Sequence, residues 1–150
     1  MIKILFVCHG NICRSTMAQF VMEDLVRRAG RASEFEIDSA ATSTEEIGSR
    51  PHPGTVTKLA EVGVPVGEHR ARQVRRDEYG AWDLIVYMDA ENERGLRRLL
   101  GGDPDGKCVR LLSFAGRDGE DVADPWYTGD FDATYRDVLA GCEGLLKNLS

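Results

Sequence analysis

The sequence predicts an α/β fold: a four-stranded parallel sheet flanked by helices on both faces. Three observations predict it. Apolar strand-like runs alternate with segments of helical spacing. The strand candidates are almost continuously apolar, as strands covered on both faces are. The first run passes through a glycine-bearing loop straight into a helix, the kind of junction at which open parallel sheets bind ligands.

Taken in order, Ile2–Cys8 is a run of strand formers broken only by Lys3. Residues Ser15–Ala29 carry Met17, Phe20, Val21 and Leu25 at helical spacing, with Gly30 as the stop signal. Phe35–Ala40 is a second strand candidate, and residues 41–54 read as a loop of Thr, Ser, Gly and Pro. Thr55–Val62 reads as a helix ending at Gly63, and Leu84–Met88 as a third strand. Ala90–Leu100 is an amphipathic helix, followed by a short strand over Val109–Leu112. A polar stretch over residues 113–130 precedes a final helix over Phe131–Leu149. Long loops in compact domains tend to carry function.

The chain has 150 residues, which fits one domain over 1–150. A chain of that size buries roughly 70% of its unfolded surface without disulfide staples. The net charge is −6, so no excess of cations exists to neutralise a nucleic-acid backbone. Two arginine clusters, Arg70/Arg72/Arg75/Arg76 and Arg94/Arg97/Arg98, read as solvated helix faces. Cysteines fall at 8, 13, 108 and 142, with neither a CxxC pair nor a Cys/His zinc pattern. No stretch reaches the roughly 20 apolar residues that span a bilayer, and the first residues lack a cleavable signal form. These features lead to the expectation of a cytoplasmic protein whose cysteines are thiols.

Chemistry concentrates in Cys8-His9-Gly10-Asn11-Ile12-Cys13-Arg14-Ser15, between the first strand and the first helix. A helix starting there aims unsatisfied N–H groups and its positive dipole end at the loop. Successive loop N–H groups can curl into a nest around an oxyanion. Gly10 permits the curl, and Asn11 tolerates a left-handed backbone. Cys8 sits where this field favours a thiolate, the nucleophilic form. Arg14 offers a planar fork matched to two phosphate oxygens. The Ser15 hydroxyl can donate to the sulfur. Cys13 shares the curled loop with Cys8, which predicts disulfide reach and a redox role.

Cleavage of a phosphate ester also calls for a proton delivered to its leaving oxygen. Among the carboxylates of the last 40 residues, Asp124 stands out: Pro125 stiffens its backbone and two aromatics, Trp126 and Tyr127, follow, with a plain Asp-Pro turn signal the alternative. Those two rings are candidates for the wall of a cleft, with core packing the alternative.

The loop resembles the signature of the low-molecular-weight protein tyrosine phosphatases, and the resemblance covers essentially the whole chain. Ser39-Ala40-Ala41-Thr42-Ser43, Ala71-Arg72-Gln73, Met88-Asp89 and Asp124-Pro125-Trp126-Tyr127 are similar to further landmarks of that family. The resemblance implies catalytic roles for Cys8, Arg14 and Asp124, and phosphate binding by residues 9–15: His9, Gly10, Asn11, Ile12, Cys13, Arg14 and Ser15. It implies that Asn11, Ser15, Ser39 and His69 form a hydrogen-bonded support for the loop, and that Asp89 is structural or close to substrate. It implies no metal and no organic cofactor. Partners would be tyrosine-phosphorylated proteins and phosphate or other oxyanions, with weak self-association, no nucleic acid and no membrane insertion.

Three positions depart from the family pattern. Thr16 stands where most members have proline, which predicts a looser helix start. Glu45 stands where members carry Tyr or Trp on the cleft rim, so it belongs to the substrate wall with Trp126 and Tyr127. His9 replaces a commonly apolar residue. Two rival activities share the fold. An arsenate reductase needs a second cysteine pair near mid-chain, and none lies between Cys13 and Cys108. A protein-arginine phosphatase resembles this loop but carries Thr where Ile12 stands. A module that binds phosphotyrosine without turnover would not need Cys8, Arg14 and Asp124 together.

Overall fold

In a computed structural model, which describes residues 1–149, four parallel strands form one sheet in the order β2-β1-β3-β4. The strands are β1 (Ile2–Cys8), β2 (Phe35–Ala41), β3 (Leu84–Tyr87) and β4 (Cys108–Arg110). The helices are α1 (Arg14–Arg28), α2 (Pro53–Glu61), α3 (Ala90–Leu100), α4 (Pro125–Thr128) and α5 (Phe131–Asn148). Both neighbours of β1 run parallel to it, β2 in register from Ile2↔Phe35 to Cys8↔Ala41. Cys8 therefore ends a central strand, on the sheet's carboxyl edge.

The pleat of β1 divides the core in two. Ile4, Phe6 and Cys8 face a layer with Phe20, Val21, Leu59, Val138 and Leu145 from α1, α2 and α5. Leu5 and Val7 face Leu96 and Leu100 of α3, with Trp82 and Val74. Period-two alternation sends neighbours to opposite faces, so a strand covered twice must be apolar at nearly every position. Each large apolar side chain buried this way contributes about 1.5–3 kcal/mol.

Three elements differ from the expectation. The fourth strand ends at Arg110, and Leu111–Ala115 turns into a 3₁₀ helix. Leu111 and Leu112 are both fully buried in the same core layer, which an alternating strand cannot achieve. The polar stretch 113–130 is not loop throughout. It holds the end of that 3₁₀ helix and α4, which starts on Pro125 with Asp124 as its cap. α2 begins at Pro53, two residues before the expected Thr55, capped by the His52 side chain. The arginines near residue 72 are also not a helix face. Residues 72 and 74 hydrogen-bond to Ala41 in an extended segment beside the end of β2, and Arg72 pairs with Asp38 and Glu78.

α5 closes the first layer through two glycines. A Cβ at Gly141 would overlap the Leu111 side chain, and one at Gly144 would overlap the Phe114 carbonyl oxygen. The close approach fixes α5 against the segment that leads into residues 117–124. Gly144→Ala sets a helix-propensity gain of about 1 kcal/mol against an overpacking cost of about 1–3 kcal/mol. Overlap with a backbone atom puts the cost at the upper end, so the variant is expected to melt several degrees below the parent. Gly80→Ala, where the added carbon meets open space, is the control. Equal melting temperatures for Gly144→Ala and the parent would contradict the close approach.

Candidate active site

The loop between β1 and α1 is held from outside by its carbonyls. Cys8 O accepts from Thr42 N at 3.0 Å, and His9 O accepts from Ser43 N at 3.0 Å and Ser43 Oγ at 2.9 Å. Ile12 O accepts from His52 N at 2.8 Å and Thr16 Oγ1 at 2.9 Å. Cys13 O takes Thr16 Oγ1 at 3.1 Å and Thr55 Oγ1 at 3.4 Å. A trans peptide points its C=O and the following N–H in opposite directions. Anchoring these four carbonyls outward thus turns the N–H groups of residues 9, 10, 13 and 14 toward the concave side. No side chain caps the start of α1 and no acid sits in its first turn. That leaves its positive end for an anion. Thr16, at the position where the family has proline, is fully buried, and its hydroxyl donates to the Ile12 and Cys13 carbonyls.

Behind the loop lies a buried polar hub. Asn11 has φ 58°, the one non-glycine residue in the left-handed region among those described. Its side-chain nitrogen donates to Ser15 Oγ at 2.8 Å and Ser39 Oγ at 3.0 Å. Its side-chain oxygen accepts from the Arg72 backbone N–H at 3.3 Å and from His69 Nε2 at 2.8 Å. Ser39 Oγ donates in turn to Gln19 Oε1. Burial pulls the His69 pKa below its ordinary value of 6.5, against Asp38, which raises it. A neutral ring protonated on Nε2 suits the donation to Asn11. Ser15 Oγ already accepts from Asn11, so its proton is free to meet Cys8 Sγ, 3.1 Å away. The Ser15 N–H also points at that sulfur, at 3.4 Å.

Arg14 is almost fully buried at the floor. Its Nη1 donates to Asp89 Oδ2 at 2.8 Å and to Val122 O at 3.2 Å, and its Nη2 lies 3.3 Å from Asp124 Oδ2. Burial would lower the Arg14 pKa, but Cys8, Asp89 and Asp124 outweigh it and hold the pKa above the ordinary value. Asp89 divides its carboxylate: Oδ1 caps α3 through Asn92 N at 2.8 Å, and Oδ2 orients Arg14. Asp124 does likewise, with Oδ1 accepting from Trp126 N at 3.1 Å.

A cleft of about 700 Å³ opens over this floor. Cys8, His9, Gly10, Ile12, Cys13, Arg14, Asp124, Glu45, Trp126 and Tyr127 all line it. Asn11 and Ser15 do not; they are fully buried behind it, with Ser39. Trp126 and Tyr127 are 64% and 84% exposed, which excludes core packing for both. His9 Nε2 meets Glu45 Oε2 at 3.0 Å on the rim, with Glu91 Oε1 4.0 Å from the other ring nitrogen. Asp121, the carboxylate nearest before Asp124, is engaged by Arg110 at 3.1 Å. Burial, then the charges of Cys8 and Asp124, push the Cys13 thiol up to about 12. All four cysteines are free. Among the described residues no His, Cys, Asp and Glu cluster could hold a metal ion, and no helix is long and apolar enough to cross a membrane.

Sequence reasoning missed Gln19, Asp38 and Arg72 in the support. Gln19 lies one turn along α1 from Ser15, on its buried side. Asp89, which the resemblance gives as structural or close to substrate, lies just beyond the carboxyl end of β3 and pairs with Arg14.

The family model described as low molecular weight phosphotyrosine protein phosphatase matches residues 3–150. The low molecular weight protein-tyrosine-phosphatase YfkJ of Bacillus subtilis is 39% identical, covering 99% of this chain and 96% of its own. Its crystal structure superposes with a TM-score of 0.95, covering 99% of this chain and 94% of that one. The low molecular weight phosphotyrosine protein phosphatase of Gallus gallus is 36% identical, over 97% of this chain and 94% of its own. A Drosophila arginine phosphatase structure has a TM-score of 0.90 at 29% identity, covering 99% of this chain and 98% of that one. Sheet order, the loop between β1 and α1 and the full-length match agree, and the chain belongs to the low molecular weight phosphotyrosine protein phosphatases.

Proposed function

We propose that this protein is a cytoplasmic phosphotyrosine-protein phosphatase that hydrolyses aryl phosphate monoesters through a phosphocysteine. The observation that carries the reading is convergence. The Cys8 thiol, the Arg14 guanidinium and the Asp124 carboxylate line one cleft, with Arg14 only 3.3 Å from Asp124. Phosphate oxygens sit in the N–H nest and on the Arg14 fork. Cys8 Sγ attacks phosphorus in line as the P–O bond to the phenol breaks, and Asp124 gives its proton to the departing oxygen. Water then attacks the phosphocysteine, Asp124 takes the water proton, and phosphate and the thiolate are released. Arg14 and the loop N–H groups stabilise charge on the equatorial oxygens throughout. No metal or organic cofactor enters these steps.

Substrates on this reading are tyrosine-phosphorylated proteins. Trp126 and Tyr127 flank the phenyl ring, and Ile12 offers it an apolar edge. The structural likeness to an arginine phosphatase supports a second reading, phosphoarginine hydrolysis. Branched, apolar Ile12 suits an aryl ring better than a guanidinium, which favours phosphotyrosine.

Cys8→Ser should abolish turnover yet retain phosphate binding, because serine supplies no thiolate. Asp124→Asn removes the proton and keeps the shape. Since a positioned general acid contributes roughly 10²–10⁴-fold, single-turnover phosphorylation should fall by that order for phosphotyrosine. It should fall less for aryl phosphates with more acidic phenols. Asp121→Asn should show no such trend. A leaving-group dependence in Asp121→Asn and none in Asp124→Asn would move the acid to Asp121.

Peroxide should inactivate the enzyme reversibly. It oxidises Cys8 to a sulfenic acid, and the Cys13 thiol condenses with it, forming a disulfide and releasing water. Oxidation removes the Cys8 charge, one of the causes of Cys13's raised pKa. Cys13→Ala should lose activity irreversibly at lower peroxide. Equal irreversible loss in parent and variant would end the protective role.

The support of the loop by Asn11, Ser15, Ser39 and His69 has a pH consequence. With the folded His69 pKa lowered, the unfolded chain binds the proton first as pH falls. Stability is therefore lost as pH drops below about 6.5, and the loss levels off below the folded value. Urea midpoints from about pH 7.5 to about pH 5 should decline more in the parent than in His69→Gln. Parallel declines would show that His69 carries no such linkage.

A further inference from the structure

The acid loop is fixed by more than its own turn. Val122 is held on both sides, its N–H donating to Met88 O at 3.0 Å and its carbonyl accepting from Arg14 Nη1 at 3.2 Å. The next residue, Ala123, is held by α5. Its N–H donates to Asp137 Oδ2 at 3.0 Å, and its carbonyl accepts from Thr134 Oγ1 at 2.8 Å. Thr134 and Asp137 lie three residues apart on one face of α5. Thr134 is fully buried, and Asp137 is fixed in turn by Arg117 Nη1 on Oδ1 at 3.0 Å. Beneath them Val138, Cys142 and Leu145 are fully buried, and Gly141 and Gly144 let α5 lie against residues 111–115. Both polar groups of Ala123 are thus taken by side chains of a helix that cannot shift without disturbing the core.

From this we propose that Thr134 and Asp137 are positioning residues that set the reach of Asp124 toward the leaving oxygen. A general acid must come within about 2.6–3.2 Å of the atom it protonates. A misplacement of about 1 Å can cost on the order of 10²-fold. Ala123 carries the Cα immediately before Asp124, so a small shift of its peptide displaces the carboxyl directly. Neither side chain touches the cleft; both act only through Ala123. The inference rests on Asp124 being the acid.

The test pairs disruptive and conservative variants. Thr134→Val keeps the volume and removes the hydroxyl; Thr134→Ser restores it. Asp137→Ala removes both acceptors; Asp137→Asn keeps an oxygen for Ala123. Single-turnover phosphorylation is followed over aryl phosphates of graded phenol pKa, beside phosphate inhibition and thermal melting. Thr134→Val and Asp137→Ala should slow phosphotyrosine roughly 10-fold or more, with progressively smaller loss as the phenol becomes more acidic. Phosphate inhibition should not move, because the nest and Arg14 are intact. Ser and Asn should recover most of the rate. Should Asp137→Ala fail to fold, Thr134→Val carries the same reading. A drop that is uniform across the series, or no drop in a folded variant, overturns the positioning role. Asp124→Asn is measured alongside. If it shows the leaving-group dependence and the α5 variants do not, only the positioning role falls. If Asp124→Asn lacks that dependence, the acid assignment falls and the positioning role with it.

Discussion

The site depends on one residue held in an uncommon backbone conformation. Asn11 keeps a left-handed backbone at φ 58° while fully buried. Most other L residues would avoid that backbone by about 1–2 kcal/mol, whereas the short polar side chain of Asn tolerates it. It is held because the amide is engaged at both ends: two serine hydroxyls accept its N–H groups, and His69 and the Arg72 backbone donate to its oxygen. The left-handed turn lets the loop curl, and the curl puts the Ser15 hydroxyl and N–H on Cys8 sulfur. A buried amide with any of these partners missing would carry a penalty of about 1–3 kcal/mol. The hub is therefore either complete or strained, which favours a single loop geometry.

Around Arg14 the balance is electrostatic. Removing a guanidinium from water is costly unless it is paired and hydrogen-bonded. Here Asp89, Asp124 and the Val122 carbonyl share it, the first from the end of β3 and the other two from the loop before α4. Asp89 arrives at the carboxyl end of β3, and Asp124 at the cap of α4. The guanidinium thus joins the sheet edge to the loop that carries Asp124. On the proposed reading, a phosphate would meet an arginine already oriented by Asp89, so the cost of ordering it is met before binding.

How legible this was varies with the physical signal. β1, its loop and α1 were readable almost residue by residue, because a twice-buried strand, a glycine-bearing turn and helical spacing each have a distinct pattern. The bounds of α3 follow from Asp89 and Gly101, a capping residue and a left-handed stop. Leu111 and Leu112 misled, since two adjacent leucines read as strand whatever layer they enter. The partners Gln19, Asp38 and Arg72 were not legible: their roles come from contacts 20 or more residues away in sequence. Trp126 and Tyr127 could be read as wall or core. Only their exposure, set by the short helix they sit on, decides between them.

The departures at His9 and Glu45 are best understood together. Each alone replaces the type of side chain the family usually places on the rim, yet the two meet at 3.0 Å, with Glu91 on the far side of the imidazole. Glu45 and Glu91 are well exposed, so the pair contributes about 0–1 kcal/mol to stability. That is too little to constrain the loop beneath, whose carbonyls and Asn11 are held by separate, buried or half-buried partners. The rim can therefore change as a unit while the floor keeps its geometry. His9 joins both parts: its carbonyl is anchored by Ser43 in the floor and its ring belongs to the rim. On the proposed reading, chemistry that depends on sub-ångström placement would fall to the rigid part, and contacts with the rest of a substrate to the replaceable part.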